Sequence, residues 1–116
     1  MRVAAALIVA LVFVFAVAPT AAQASVPYWS LGKLLRRIDG ARVHVGSRTI
    51  RIVRESTLCA GRGRSIRRHG VRRWRRFICT YTTFTKSGID RDLDFKVRVL
   101  GVKRYRIYDA HWVSGR

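Results

Sequence analysis

Residues 73–85, RWRRFICTYTTFT, are the stretch that decides the fold. Aromatic and β-branched side chains dominate its second half, and such residues favour a pleated strand. In an extended chain Phe77, Cys79 and Tyr81 point to one face, because successive side chains alternate. The opposite face receives apolar and threonine side chains, namely Ile78, Thr80, Thr82 and Phe84. Apolar side chains on both faces predict the central strand of a sheet.

The segments that follow extend this sheet. Lys86, Ser87 and Gly88 have the composition of a turn, and apolar residues then alternate strictly with charged ones. The inward residues of this next strand are Leu93, Phe95, Val97 and Val99. A last strand from Tyr105 to Trp112 changes the parity of its apolar residues, which predicts a β-bulge.

The segments that precede the central strand predict one helix and several short strands. Ser30 is a helix N-cap, Asp39-Gly40 ends the helix, and its apolar residues recur at helical spacing, namely Leu31, Leu34, Leu35 and Ile38. Alternation around Val43 and Ile50 predicts a hairpin that turns at Gly46-Ser47. A third short strand holds Thr57, Leu58 and Cys59, and a loop is predicted from Gly61 to Gly70.

These elements predict an α+β fold. The expected architecture is a short N-terminal helix packed on an antiparallel sheet of about four to six strands, with one disulfide. The opposite face of the sheet is left for arginine.

The first 24 residues have the features of a secretory signal peptide. Met1-Arg2 precede sixteen apolar residues, and Ala22-Gln23-Ala24 is a small-residue cleavage site. A membrane anchor is the alternative, but the apolar stretch is shorter than the roughly 20 residues that a spanning helix needs. We therefore expect residues 1–24 to be removed and residues 25–116 to form a single secreted domain, with no transmembrane segment after cleavage and with cell-wall association as an option.

Cys59 and Cys79 are the two cysteines of the chain. Because exported proteins fold where thiols are oxidised, we expect these two residues to form a disulfide. The alternative is a nucleophilic cysteine with His44 or His69, which would need a free thiol. No CxxC or HxxxH spacing is present, so no metal site is predicted.

The formal net charge is +18, from 24 Lys and Arg against 6 Asp and Glu. Eight arginines crowd into fifteen residues around Trp74, and no acid lies between Ser56 and Ile89. They are Arg62, Arg64, Arg67, Arg68, Arg72, Arg73, Arg75 and Arg76. Arginine binds phosphate, sulfate and carboxylate through paired donors, and Trp74 could stack on a base or lie at a membrane interface. We therefore predict an anion-binding surface formed by these eight residues and Trp74.

The alternative for the same cluster is a solvated loop and strand edge of an Arg-rich protein, with Trp74 packed in the core. The glycines at 61, 63 and 70 match neither phosphate-binding fingerprint, so no nucleotide cofactor is predicted. Asp90, Asp92 and Asp94 depart from a calcium loop, since Phe95 stands at the position of its turn glycine, and we expect them to pair with neighbouring cations. No pair of carboxylates is placed across a cleft, so we expect no enzyme and no cofactor.

Part of the chain resembles small, Arg-rich secreted proteins of high-GC actinobacteria. The resemblance covers Thr57 to Trp112 and is carried by Thr57-Leu58-Cys59-x-Gly61-x-Gly63, by Arg68-x-Gly70-x-x-x-Trp74-x-x-Phe77-x-Cys79, by the acidic turn at Asp90 and by Asp109-Ala110. It implies an exported, disulfide-bonded α+β domain and implies no activity.

Two functions remain at this point. The first is a non-catalytic interaction domain that binds a polyanion, such as a cell-wall polymer, nucleic acid or an acidic protein, through its Arg-rich surface. The second is a cationic membrane-active or antimicrobial protein, against which the basic cluster counts because it forms no continuous amphipathic helix.

Overall fold

A computed structural model describes residues 26–84 and 90–113 of the chain. In chain order its elements are β1 (Trp29–Ser30), α1 (Leu31–Ile38), β2 (Arg42–Val45), β3 (Arg48–Arg51), a 3₁₀ turn (Arg54–Ser56), β4 (Thr57–Arg68), β5 (Val71–Phe84), β6 (Asp90–Val99) and β7 (Tyr105–Val113). The predicted signal peptide and the predicted turn at 86–88 lie outside the described residues.

Strand β5 is the central strand, as the sequence predicts. It pairs antiparallel with β4 along one side, and with β6 and the short β1 along the other. Its side chains Phe77 and Cys79 are buried, whereas Ile78 on the opposite face is 38% exposed. The second face is therefore exposed to solvent at Ile78. Strand β5 is central because both of its edges are paired, and not because both of its faces are covered.

The helix covers the buried face of the sheet. The Ser30 hydroxyl accepts a hydrogen bond from the amide of Lys33, which confirms the predicted N-cap. Leu34 and Ile38 on the inner side of α1 are fully buried against the sheet. The core also contains Trp29, Val43, Val45, Ile52, Phe77, Cys79, Leu93, Phe95, Val97 and Val99.

Strands β2 and β3 form the predicted hairpin, which is a separate two-stranded sheet. Gly46 has a φ of +60° in its turn, a conformation that glycine adopts without steric cost. Val43 and Val45 turn inward and join the core, so this hairpin closes one side of it.

The predicted loop from Gly61 to Gly70 is wrong. Strand β4 continues through this segment to Arg68 and stays paired with β5. The register shifts between Arg62 and Ser65, where two residues of β4 lie opposite one of β5, which is a β-bulge. His69 and Gly70 then form the turn, with φ values of +53° and +74°. Glycines and arginines gave this segment a loop-like composition, but they serve the bulge and the exposed strand edge.

Strands β6 and β7 complete the sheet. The inward-facing set of β6 is confirmed, since Leu93, Phe95, Val97 and Val99 are all buried. The predicted bulge in β7 is confirmed by a register shift opposite Asp94 and Lys96. One helix thus packs on an antiparallel five-stranded sheet, with a small second sheet, and the predicted α+β class is correct.

The predicted disulfide is present between Cys59 and Cys79, which lie directly opposite each other on β4 and β5. The Cys79 side chain is 1% exposed and belongs to the core. The bridge therefore joins the base of the long β4–β5 hairpin to the hydrophobic core.

Candidate functional site

The eight clustered arginines all lie on the β4–β5 hairpin beyond the disulfide. Arg73 and Arg75 are half-buried, and the other six are exposed, namely Arg62, Arg64, Arg67, Arg68, Arg72 and Arg76. The cluster is therefore a paired, twisted ribbon and not a flexible loop, so the backbone fixes where each guanidinium begins.

Four arginines form a rank across the open face of the sheet. Arg62 lies opposite Arg76, Arg76 lies opposite Arg98, and Arg98 lies opposite Arg106. All four side chains are exposed. Directly opposed residues of neighbouring strands share one face, so the rank runs over β4, β5, β6 and β7 at the strand spacing of about 4.8 Å.

Such a rank places like charges directly opposite each other, which β-sheets usually avoid. Like charges that lie directly opposite each other in neighbouring strands are destabilising, and here three consecutive pairs carry like charges. A bound anion would remove this repulsion. The rank is therefore a local cost in the free protein that an anionic ligand would offset.

Three adjoining concavities lie beside this rank. The first has a volume of about 410 Å³ and is lined by Arg62, Gly63, Arg76, Phe77, Lys96 and Tyr108. The second has a volume of about 340 Å³ and is lined by Val26, Arg75, Arg76, Arg98, Val99 and Leu100. The third has a volume of about 540 Å³ and is lined by Val26, Pro27, Tyr28, Ile66, Arg68, Arg73 and Arg75.

The three concavities are neighbours, because each shares lining side chains with the next. Arg76 belongs to the first and the second, and Val26 and Arg75 belong to the second and the third. We call the whole the arginine groove. Its cations are Arg62, Arg68, Arg73, Arg75, Arg76, Lys96 and Arg98, and none of its lining residues is acidic.

Arg75 is held in place at the middle of the groove. Its Nη2 donates a hydrogen bond of 2.8 Å to the carbonyl of Val26, and its guanidinium lies 4.2 Å from the ring centroid of Tyr28. The Nε atoms of Arg73 and Arg75 are buried and have no hydrogen-bond acceptor among the described residues. These arginines therefore keep unused donors, which an anion can satisfy with small side-chain movements.

Arg76 crosses the β-bulge at Gly63. A Cβ atom at residue 63 would lie 2.4 Å from Nη2 of Arg76, and Gly63 has a φ of +71°. Only glycine provides this combination of backbone conformation and free space without strain. The bulge glycine thus lets the Arg76 side chain lie close to the backbone of β4 at the wall of the groove.

The positive field extends to the helix. The pKa of Lys33 is lowered from its ordinary value by partial burial and then by the charges of Arg37, Arg73 and Arg36. Arg73 lines the groove, so the groove and the basic side of α1 act on the same lysine.

Lys96 is a groove cation with an acidic partner. Its Nζ lies 2.9 Å from Oδ2 of Asp109, an exposed residue in β7 with a φ of +54°. The hydrogen bond and the charge of Lys96 hold the pKa of Asp109 below its ordinary value. The Asp109 carboxylate therefore stays ionised throughout the neutral range and partly neutralises the charge of Lys96 that an anion would meet.

The remaining members of the predicted surface are placed elsewhere. Arg64, Arg67 and Arg72 do not line the three concavities, and Arg72 donates a 2.7 Å hydrogen bond to the hydroxyl of Ser65. The Trp74 indole is half-buried, meets Phe77 edge-on at a centroid distance of 6.0 Å and packs against the core. The structure thus brings five of the eight arginines to the groove. Trp74 packs against the core, as expected if it is not part of the binding surface.

Several acidic and histidine side chains contact hydroxyl groups of neighbouring residues. The Thr80 and Thr82 hydroxyls donate to Asp94 and Asp92, whereas His44 contacts the hydroxyl of Thr49. In the described part of the chain, no group of three His, Cys, Asp or Glu side chains is close enough to hold a metal ion.

Sequence reasoning missed several groove residues. Arg98 and Lys96 alternate with the buried residues of β6, so period-2 alternation placed them on the open face, but the register that brings Arg98 opposite Arg76 depends on the hairpin turn. The contribution of Val26–Tyr28 had no local signal, because it depends on a contact with Arg75 that is 49 residues away in the chain.

No helix within the described ranges is long and apolar enough to cross a membrane. Comparisons of the chain with protein-family models, with curated proteins and with solved structures find no match.

Proposed function

We propose that this protein is a secreted, non-catalytic interaction domain that binds polyanions through the arginine groove. The observation that carries the proposal is the set of three neighbouring concavities, which are lined by seven cationic side chains and by no acidic residue. Guanidinium groups stay charged at every physiological pH and offer paired donors to phosphate, sulfate and carboxylate oxygens. Polymers that carry such groups in series would engage several of these arginines at once.

The fixed positions of the arginines support binding over a merely solvated surface. Arg75 is held by Val26 and Tyr28, and Arg76 lies across Gly63. Side chains that are already ordered lose less conformational entropy when a ligand arrives. The Cys59–Cys79 bridge at the base of the hairpin is consistent with function in an oxidising, extracellular place, including the cell wall.

A membrane-active function has less support. An amphipathic helix that enters a bilayer needs an available apolar face, but Leu34 and Ile38 of α1 are already fully buried in the core. Leakage of a dye from anionic vesicles tests this alternative directly. Leakage at protein concentrations that saturate a soluble polyanion would favour the membrane-active function.

Heparin affinity and salt-dependent titration test the proposal. The groove variant combines Arg62→Gln, Arg76→Gln and Arg98→Gln, which keeps part of each aliphatic stem and removes three groove charges. Because each lost phosphate contact lowers the slope of log K against log salt by about 0.7, the variant should lose about 2 from the slope for a single-stranded phosphate polymer. Its elution from heparin should move to lower salt.

Two control variants have the same net charge as the groove variant. The first combines Arg64→Gln, Arg67→Gln and Arg72→Gln, which are three hairpin arginines that do not line the groove. The second combines Arg42→Gln, Arg48→Gln and Arg54→Gln, which are exposed arginines outside the five-stranded sheet. Both should retain most of the affinity. Equal losses in all three variants would show that binding follows net charge alone and would refute a defined groove.

A further inference from the structure

We infer that the arginine groove holds a single linear strand of a phosphodiester polymer and recognises its backbone charges, not its bases or other side groups. This inference rests on the proposed function and narrows its ligand class. It follows from the volumes of the concavities, the spacing of the cations and the contacts of the aromatic residues.

The size of the groove favours one strand. Each concavity has a volume of 340–540 Å³, which is the size of a site for one small molecule and so for one or two units of a polymer. Neighbouring concavities share Arg76 or Arg75 in their walls. A thin, flexible chain can place successive units in adjacent concavities of this size, whereas a rigid duplex cannot bend its units into them.

The arrangement of the cations favours a flexible chain of phosphates. Arg62, Arg76 and Arg98 follow one another across the strands at the strand spacing of about 4.8 Å. Arginine donors bind phosphate oxygens in pairs, and basic grooves that track a flexible backbone are a common mode of single-strand binding. A flexible strand can bring successive phosphates to these cations, whereas a stiff duplex has a fixed spacing.

The aromatic residues near the groove leave few ring faces for stacking. The Arg75 guanidinium covers Tyr28, and the Trp74 indole packs over Gly61 and beside Phe77. Proteins that bind the bases of a single strand stack them on exposed aromatic side chains. Tyr108 also lines the groove, at one end, and is half-buried. Its ring could still stack on a base, so the test includes a Tyr108 variant.

The experiment compares five probes by fluorescence competition at fixed salt. They are an oligothymidylate of about ten nucleotides, an abasic oligodeoxynucleotide of the same length, a poly(glycerol phosphate) of the same charge, a DNA duplex and a polyglutamate of the same charge. Oligothymidylate and the abasic strand should bind within about threefold of each other, and the duplex and polyglutamate at least about tenfold more weakly per strand. The two natural sources of this chemistry, nucleic acid and a polyol phosphate polymer, are separated by the first and third probes.

The variants make the outcome unambiguous. The groove variant should lose binding of all phosphodiester probes, whereas Tyr108→Leu should change oligothymidylate affinity by less than about threefold. A preference of tenfold or more for oligothymidylate over the abasic strand, or equal binding of the duplex or of polyglutamate, would overturn the inference. Heparin retention that depends on the groove, with no binding of the phosphodiester probes, would refute the inference alone. Loss of groove-dependent heparin retention would refute the proposed function itself.

Discussion

The indole of Trp74 lies directly over the backbone of Gly61, so that a Cβ atom at residue 61 would come within 2.0 Å of Cδ2 of Trp74. The same indole meets the Phe77 ring edge-on, and Phe77 is 1% exposed. Gly61 and Trp74 therefore fit together because one has no side chain. This contact packs the β4–β5 hairpin against the core.

Gly61→Ala should destabilise the protein strongly. The added methyl group cannot move away from a ring that is itself packed on Phe77, so the strand or the indole must shift. Overpacking of this kind costs about 3 kcal/mol, which urea unfolding followed by tryptophan fluorescence can measure. Gly32→Ala is the matched control, because its nearest atom is the Arg36 side chain at 3.5 Å and alanine favours a helix. Equal losses in the two variants would contradict this account of Gly61.

Removal of the disulfide should cost about 3 kcal/mol, which is the chain-entropy value for a loop of this length. Cys59→Ser with Cys79→Ser leaves hydroxyls where Cys79 is buried, so the double alanine variant is the better test. Unfolding of wild type under reducing conditions should match that variant. A reduced protein as stable as the oxidised one would show that packing alone holds the hairpin to the core.

Local patterns predicted much of the fold because they report local physics. Helical spacing from Leu31 to Ile38 and the alternation in β6 each depend on one element burying one face. The segment from Gly61 to Gly70 failed because pairing with β5 overrides composition. A bulge at Gly63 interrupts the strand ladder, which resumes at Ser65, and no local pattern separates such a glycine from a loop glycine.

The candidate site was only half predictable for the same reason. The cluster from Arg62 to Arg76 was visible as a run, but a groove is defined by the residues that share a face. Arg98 reaches it through the register of β6, and Val26 reaches it through a hydrogen bond from Arg75. Both are long-range contacts, which sequence spacing does not contain. Conversely, Trp74 looked available for stacking and is packed against the core.

The hairpin turn offers a stabilising substitution. His69 and Gly70 both have positive φ, the conformation of a two-residue turn for which Asn-Gly is preferred. His69→Asn should therefore raise the free energy of unfolding by about 0.5–1 kcal/mol, or the melting temperature by several degrees. His44→Asn should instead lower the free energy of unfolding, because His44 lies in strand β2, where asparagine is unfavourable. A melting temperature that falls in His69→Asn would contradict the turn conformation.

Asp109→Asn should strengthen polyanion binding. Asparagine tolerates the positive φ of residue 109, so the backbone of β7 can stay in place, while Lys96 loses the carboxylate that lies 2.9 Å from its Nζ. Lys96 then presents its full charge to the groove. The affinity for a single-stranded phosphate polymer should rise about threefold to fivefold at 0.1 M salt, and the slope against log salt should increase by about 0.7. Asp39→Asn, which adds the same charge at the end of α1, is the control and should change neither quantity much.

The pH dependence of binding follows from the same pair. The pKa of Asp109 is lowered by Lys96, so its carboxylate is still ionised at pH values where an ordinary aspartate is already partly protonated. It becomes protonated only as the pH falls through that lowered pKa. Guanidinium groups do not titrate in this range. Wild-type affinity for a phosphodiester polymer should therefore stay nearly flat between about pH 7 and pH 5 and rise only in more acidic solution, whereas Asp109→Asn should not show that rise. A steep gain of affinity near pH 6 in both proteins would show that the Lys96–Asp109 pair does not set the acid response.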